Sequence, residues 1–311
     1  MDLEAIQKFR SSVKRPADFD RFWEATISAT NKVPLKAEFN HVPMRSNEAV
    51  DVFDVRYDSY GGLRIAAWYC APRGKGPFPG MLMVPGYVSE PMLPKSLAAQ
   101  GYAVLSAAPR GKLRSNGQFN PGYPGLLMHK ITERDDYGYR GFYMDALRAF
   151  DVLLSRPEVD PTRVGVQGGS QGGALTLLVA SLRPGKVAAA SAGAPYLCST
   201  MDAATLTHSY PYQEINDYLR LQPDDEPKLR ATWDYYDIHN FVDRIRCPII
   251  VNVGLNDDVC PPATGYALFR EIGGGKKKLY PYENCAHDAG TSAGHAAVVR
   301  AFMASKLEPG R

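Results

Sequence analysis

A serine lies between two pairs of glycines in the stretch RVGVQGGSQGGALTLLVASL, residues 163–182. Glycines flank a reactive group either so that backbone N–H groups can approach a phosphate, or so that the chain can turn sharply at a nucleophile. A P-loop ends in Lys followed by Ser or Thr, which this stretch lacks. A dinucleotide fingerprint needs an acid about 20 residues further on, and residues 171–190 contain no acid. The spacing matches G-x-S-x-G and makes Ser170 a candidate nucleophile.

The residues around Ser170 indicate how an oxyanion would be bound. A β-branched run precedes the serine and an Ala/Leu-rich run follows it, which is the strand–turn–helix context of a nucleophile elbow. In such an elbow, the backbone N–H after the nucleophile points at the developing negative charge, so Gln171 is predicted to be one donor. The second donor comes from the loop after an early strand. In MLMVPGYVSEP, the backbone N–H of Tyr87 is the candidate.

A serine nucleophile also needs a base and an acid that orients the base, and in this fold they follow in the order Ser, Asp/Glu, His. The run IIVNVGLNDDVCPP ends in Asp257 and Asp258, and LYPYENCAHDAG carries His287. We predict Asp257 and His287 as the pair. Spacing alone leaves Asp258 as a rival acid. His295 is a rival base, but TSAGHAAVVRAFM is typical of a final helix.

Short apolar runs alternate with amphipathic stretches along the chain, which predicts an α/β fold with a mostly parallel central sheet flanked by helices. The sequence predicts a helix over 19–30, a hairpin over 49–72, strands in 80–86, 103–111, 163–169, 248–257 and 277–283, and helices over 142–156 and 172–182.

The absence of internal repeats and low-complexity linkers predicts one domain over 1–311. It would have an N-terminal extension of about residues 1–48, and a helical excursion over the sheet at about 197–240. Tyr210 and Tyr212 in that excursion either line the site or pack in the core, and the sequence leaves both possibilities open.

Composition excludes several classes of function. Lys and Arg number 36 against 33 Asp and Glu, and the basic residues are scattered, which disfavours nucleic acid as a partner. Five widely spaced cysteines without a C-x-x-C pair argue against a disulfide framework and a zinc site. We expect no metal, no cofactor and no membrane partner. The N-terminus lacks the apolar core of a signal peptide, so a cytoplasmic setting is expected.

Several stretches together resemble the acetyl xylan esterase/cephalosporin C deacetylase family, carbohydrate esterase family seven, an α/β-hydrolase family. They are DFDRFWEAT, YRGFYMDALRAFDVLLSRPEVDPTRVGVQGGSQGGALTL, SYPYQEINDYLR, YYDIHNFVDRIRCPIIVNVGLNDDVCPP and LYPYENCAHDAG. The GGSQGG elbow and the GLND…CPP stretch are the most specific of them.

The resemblance implies Ser170 as nucleophile, Asp257 as orienting acid, His287 as general base, and Tyr87 and Gln171 as backbone oxyanion donors. It also implies a small-molecule ester as substrate, an acetylated saccharide in particular, and a homo-oligomer, the ring-like hexamer of the family.

Two departures from the family pattern bear on specificity. The family's oxyanion loop usually reads G-Y-N-G-G, whereas this chain has GYVSEP at 86–91, which alters the wall of the acyl pocket. The His287 loop is also slightly longer than in typical members. An esterase or peptidase of the same fold with a different acyl or alcohol specificity, and a non-catalytic protein that keeps the hydrolase shell, are the alternative functions.

Overall fold

A nine-stranded sheet organises the structure, a computed structural model that describes residues 1–122 and 125–309. Its strands are β1 (Glu38–His41), β2 (Val50–Asp58), β3 (Arg64–Pro72), β4 (Phe78–Met83), β5 (Ala103–Ala108), β6 (Val159–Gly169), β7 (Ala189–Gly193), β8 (Ile249–Gly254) and β9 (Lys277–Tyr282). Their order across the sheet is β1-β2-β3-β5-β4-β6-β7-β8-β9.

Six of these strands, from β5 to β9 across the sheet, run parallel to one another. β1, β2 and β3 are antiparallel and extend one edge. The carboxyl ends of the parallel strands therefore meet at one edge of the sheet, which is where open α/β folds place their ligands. The predicted α/β fold with a mostly parallel sheet is confirmed.

Ten helices accompany the sheet in the described part of the chain: α1 (Leu3–Lys8), α2 (Phe19–Asn31), α3 (Lys95–Ala98), α4 (Gly138–Leu154), α5 (Gln171–Leu182), α6 (Thr200–Leu206), α7 (Gln213–Leu221), α8 (Glu226–Tyr236), α9 (Pro262–Glu271) and α10 (His295–Leu307). Every residue of α5 is buried, so this helix is part of the core. None of the described helices is long and apolar enough to cross a membrane.

Two strands were absent from the sequence prediction. β7 reads AASAG, and alanine, serine and glycine have low strand propensity, so burial between β6 and β8 decides its conformation. β1 lies within the predicted N-terminal extension and pairs with β2. The extension is therefore partly an element of the sheet.

The predicted excursion over 197–240 contains α6, α7 and α8. The excursion packs against the N-terminal helix α2: the Trp23 ring contacts Tyr236 edge to face at a centroid distance of 5.4 Å, and it contacts Phe241, the residue just after the excursion, at 5.2 Å. The Trp23 indole N–H also donates to the Tyr235 carbonyl at 2.8 Å. The N-terminal segment thus holds the excursion in place.

Candidate active site

The turn between β6 and α5 carries Ser170 in a strained backbone conformation. Its φ is 57° and its ψ is −122°, a combination of backbone angles that residues other than glycine rarely adopt. The Ser170 N–H donates to the Gly193 carbonyl at 2.8 Å, and its own carbonyl accepts from Tyr196 N–H at 3.1 Å. These bonds hold the strained residue at the carboxyl edge of the sheet, as a nucleophile elbow does.

The glycines of the elbow allow the turn to press against the neighbouring strands. A Cβ on Gly172 would overlap the Val84 carbonyl oxygen, and one on Gly173 would lie 2.6 Å from the Gly193 carbonyl oxygen. Because both obstacles are backbone atoms, neither position accepts a side chain without a shift of the sheet. The glycines are therefore required by close packing of α5 on the ends of β4 and β7.

The loop after β8 places Asp257 against His287. His287 Nδ1 lies 2.9 Å from Oδ2 and 3.1 Å from Oδ1 of Asp257. Asp257 Oδ1 also accepts the N–H groups of Val259 and Cys260, at 2.9 and 2.8 Å. The Asp257 side chain is 1% exposed and that of His287 33% exposed. This arrangement fixes the ring orientation and leaves Nε2 of His287 for proton transfer.

The rival residues lie elsewhere. Asp258 is exposed, and its Oδ2 accepts from the Ser209 hydroxyl at 3.3 Å. His295 is the first residue of α10 and is buried, with its Nδ1 2.8 Å from the Tyr282 hydroxyl. Burial lowers the pKa of the His295 imidazole. The pair that the structure brings together is therefore Asp257 and His287.

Cys260 is buried beside Asp257, whose Oδ1 accepts the Cys260 backbone N–H at 2.8 Å. Burial and the Asp257 carboxylate raise the pKa of the Cys260 thiol well above its ordinary value. No hydrogen bond joins Ser170 to His287 within residues 1–122 and 125–309. Such bonds are often long in unliganded sites and tighten when substrate binds.

Two backbone N–H groups flank the serine and are available as donors. Those of Tyr87 and Gln171 have no hydrogen-bond partner among the described residues. Tyr87 follows Gly86, where a Cβ would lie 3.9 Å from the Ser170 Cβ, and Gln171 opens α5, whose N-terminal end favours negative charge. The two predicted oxyanion donors thus lie on adjacent segments around Ser170.

Side chains that the sequence prediction missed hold both donor residues. Tyr87 Oη donates to the Glu214 carboxylate, at 3.1 and 3.3 Å from its two oxygens, and accepts from Leu127 N–H at 3.2 Å. Burial raises the pKa of Glu214 to about 7. Gln171 Nε2 donates to Tyr139 Oη at 2.7 Å.

A buried lysine contacts the same loop from the other side. Lys112 Nζ donates to the carbonyl oxygens of Gly86 and Tyr87, at 2.7 and 2.5 Å. Burial lowers its pKa to about 8. Lys112 lies four residues after the end of β5, and no local sequence pattern marks it as a contact of the Tyr87 loop.

Tyr210 and Tyr212, for which the sequence left open whether they line the site or pack in the core, differ in environment. Tyr212 is buried, its ring lies 4.7 Å from the Tyr196 ring, and its hydroxyl accepts from Leu197 N–H at 3.0 Å. Tyr212 therefore packs in the core. Tyr210 is exposed and donates to Asp217 at 2.5 Å.

A groove of about 1010 Å³ lies between α3, α10 and the sheet. Ser170, Asp257 and His287 do not line it, although Gly168 and Gly169 of the elbow do. The groove is thus behind the elbow and not part of the candidate site. Within the described residues, no group of three or more metal-ligating side chains could hold a metal ion.

The parallel sheet, the strained serine after β6 and the acid–histidine pair after β8 and β9 define an α/β-hydrolase. Residues 1–304 match the family described as Acetyl xylan esterase (AXE1). The chain belongs to the acetyl xylan esterase family.

Individual relatives agree with this membership. The acetyl esterase Axe7A of Xylanibacter ruminicola is 32% identical over 86% of this chain, which spans 62% of that relative's length. The acetyl xylan esterase from Paenibacillus sp. R4 has a TM-score of 0.90 and 31% identity, covering 99% of this chain and all of the other. Acetyl xylan esterase 1 from Thermoanaerobacterium sp. JW/SL YS485 has a TM-score of 0.89 and 28% identity, covering 100% of this chain and 99% of its own.

Proposed function

We propose that the protein is a serine esterase that hydrolyses short-chain acyl esters, acetyl esters in particular, of sugars or related alcohols. The observation that carries the proposal is the His287–Asp257 pair at the same sheet edge as the strained Ser170. The names of the relatives support the acetyl group and the carbohydrate alcohol. We propose Ser170, Asp257 and His287 as the catalytic residues.

In the proposed mechanism, Nε2 of His287 takes the proton of the Ser170 hydroxyl while Oγ attacks the ester carbonyl carbon. Asp257 stabilises the imidazolium that forms, because its carboxylate lies against Nδ1. The backbone N–H groups of Tyr87 and Gln171 bind the tetrahedral oxyanion, and each such donor is worth roughly 3 kcal/mol of barrier. No residue in this sequence of steps requires a metal or cofactor.

Collapse of the tetrahedral intermediate expels the alcohol, which receives its proton from His287, and leaves acyl-Ser170. Water then attacks the acyl carbon with His287 again as general base. A second tetrahedral intermediate breaks down to the free acid and restores Ser170. Both half-reactions use the same oxyanion donors, so a defect in either donor slows acylation and deacylation.

The test is turnover of p-nitrophenyl acetate and of acetylated xylose by Ser170→Ala. We expect loss of at least about 10³-fold in kcat, and loss of labelling by a fluorophosphonate. Ser191 is a buried serine on the neighbouring strand β7. The matched control Ser191→Ala should keep both ester turnover and labelling by the fluorophosphonate. Retained activity in Ser170→Ala would refute the assignment of the nucleophile.

Acyl specificity is tested by p-nitrophenyl esters from acetate to octanoate and by a peptide p-nitroanilide. We expect kcat/KM to be highest for acetate and to fall with chain length. A maximum at longer acyl chains, or turnover of the anilide, would favour the alternative of an esterase or peptidase with a different specificity. A set of acetylated sugars, with cephalosporin C included, would define the alcohol.

We further propose that the protein is a cytoplasmic homo-oligomer, a hexamer as the family resemblance implies. All five cysteines are free thiols, which supports a reducing compartment. Val88, on the oxyanion loop, and Met92, just after it, are 92% and 80% exposed, and exposed apolar side chains of this kind support a subunit contact. Fractionation of cells and light scattering of the purified protein test the two statements.

A further inference from the structure

The oxyanion loop rests on a buried cation that the mechanism above does not use. Lys112 is 5% exposed, and its ammonium donates to two successive backbone carbonyl oxygens, those of Gly86 and Tyr87. A buried ammonium is expensive and is normally paired with a carboxylate. Here its hydrogen bonds go to the backbone of the loop that carries a proposed oxyanion donor.

The first of these carbonyls belongs to the same peptide group as the Tyr87 N–H. A cation that donates a hydrogen bond to a peptide oxygen draws electron density from that peptide group. The N–H of the same group becomes a stronger donor, because hydrogen bonds in a chain polarise one another. The hydrogen bond to the second carbonyl, that of Tyr87, fixes the peptide group that follows Tyr87. The two bonds therefore set both the direction and the donor strength of the Tyr87 N–H.

We propose that Lys112 is a positioning residue of the oxyanion hole, in which its ammonium holds and polarises the Gly86–Tyr87 peptide so that the Tyr87 N–H stabilises the oxyanion formed at Ser170. This inference rests on the proposed esterase function. Lys112 acts through Tyr87 and does not contact the substrate.

The charge of Lys112 depends on pH in the range where esterases are assayed. Burial lowers the pKa of the ammonium to about 8, and the Glu90 carboxylate on the facing loop opposes that shift. Glu90 Oε1 accepts from Leu113 N–H at 3.1 Å, which ties the two loops together. The ammonium is charged below about pH 8 and neutral above it, so the support for the Tyr87 N–H weakens as pH rises through that value.

Other ionisable groups around the loop are separated from this ammonium. Arg110, two residues earlier in the chain, is neutralised by the buried Asp145 through bonds of 2.8 and 2.9 Å. Glu214 meets Tyr87 at its hydroxyl, the opposite end of the residue from the carbonyl that Lys112 binds. Among the described residues, Glu90 is the carboxylate whose field acts on Lys112.

Three variants separate charge from hydrogen bonding. Lys112→Arg keeps a permanent cation, Lys112→Gln keeps a neutral donor, and Lys112→Met removes both. In wild type, we expect kcat for p-nitrophenyl acetate to fall above about pH 8, after subtraction of the rate of Ser170→Ala. In Lys112→Arg, this alkaline decline should move up by at least about one pH unit, because guanidinium keeps its proton.

Lys112→Gln and Lys112→Met should lose about tenfold in kcat at pH 7, with KM within about twofold, because the lost interaction acts mainly on the transition state. Their profiles should lack the decline near pH 8. The dissociation constant of phenylboronic acid, whose tetrahedral serine adduct places an oxygen in the oxyanion hole, should rise by a similar factor. Lys186, three residues before β7, is exposed, so Lys186→Gln is the control and should match wild type.

Folding is checked by circular dichroism and thermal unfolding of every variant. If Lys112→Met does not fold, the Lys112→Arg profile decides, since an alkaline decline that stays at the wild-type pH contradicts the proposal. Lys112→Gln with wild-type kcat, pH profile and boronate affinity also overturns it. Either result refutes only the proposed role of Lys112 and leaves the esterase function standing. An active Ser170→Ala would refute the proposed function itself.

Discussion

His287 Nδ1 lies within 3.1 Å of both carboxylate oxygens of Asp257, and the neighbouring Asp258 faces away from the ring toward Ser209. Two adjacent aspartates of one loop thus have different partners. Because Oδ1 of Asp257 also accepts two backbone N–H groups, the carboxylate is held in place before substrate arrives.

The first prediction compares these two aspartates. Asp257→Asn should lower kcat for p-nitrophenyl acetate by about 10⁴-fold, because the amide no longer stabilises the imidazolium or selects its tautomer. Asp258→Asn should stay within about twofold of wild type, since its carboxylate is exposed. Steady-state kinetics at pH 7 measure both. A large loss in Asp258→Asn with an active Asp257→Asn would reverse the assignment.

The second prediction concerns the strain at Ser170. At φ 57°, a residue with a Cβ is disfavoured relative to glycine, so Ser170→Gly should be more stable than Ser170→Ala by about 1 kcal/mol. Both variants lack the hydroxyl, so the comparison isolates the backbone. Urea unfolding at pH 7 gives the difference in free energy. Equal midpoints for the two would show that the conformation costs the fold nothing.

The third prediction follows from the raised pKa of Glu214, about 7 against an ordinary value of 4.5. Between these values, the folded protein binds a proton that the unfolded chain has lost. The free energy of unfolding therefore falls as pH rises from about 4.5 to 7 and stays lowered above that. Glu214 is 7% exposed, so solvent does little to screen the loss of stability that follows when its carboxyl group ionises.

Glu214→Gln carries no charge at any pH and still accepts from Tyr87. Relative to wild type, it should gain up to about 3 kcal/mol at pH 8 and nothing at pH 4.5. Urea unfolding at the two pH values measures this, with the exposed Glu24→Gln on α2 as control. A gain that is the same at both pH values would mean that the effect is not one of charge.

The fourth prediction tests the proposed subunit contact. Val88→Lys and Met92→Lys would place charges in an apolar interface and should lower the mass measured by light scattering toward 34.2 kDa, the mass of one chain. Met44→Lys alters another exposed methionine, on a turn outside the oxyanion loop, and should leave the mass unchanged. If Val88→Lys and Met92→Lys keep the oligomer, the interface lies elsewhere.

The sequence predicted the parts of the site that depend on local pattern. A strand, a glycine-flanked serine and a helix specify the elbow around Ser170, and the apolar runs before Asp257 and His287 specify strands that end at the same edge. The sequence did not predict β7 because AASAG has low strand propensity. Its extended conformation depends on pairing with the neighbouring strands β6 and β8.

Lys112 and Glu214 escaped prediction for a different reason. Their importance comes from contacts with Tyr87, and both residues are far from it along the chain. No local pattern distinguishes a lysine that binds two carbonyls from one that faces solvent. Contacts of this kind follow from packing alone.

Close packing of the elbow has a consequence for how specificity could diverge within this scaffold. With backbone atoms of Val84 and Gly193 against the positions of Gly172 and Gly173, natural variation has almost no freedom at the turn that bears the nucleophile. Loop 86–92, by contrast, has exposed side chains and no strand pairing. Selection for new acyl groups would therefore act on that loop first, while the reacting hydroxyl kept its place.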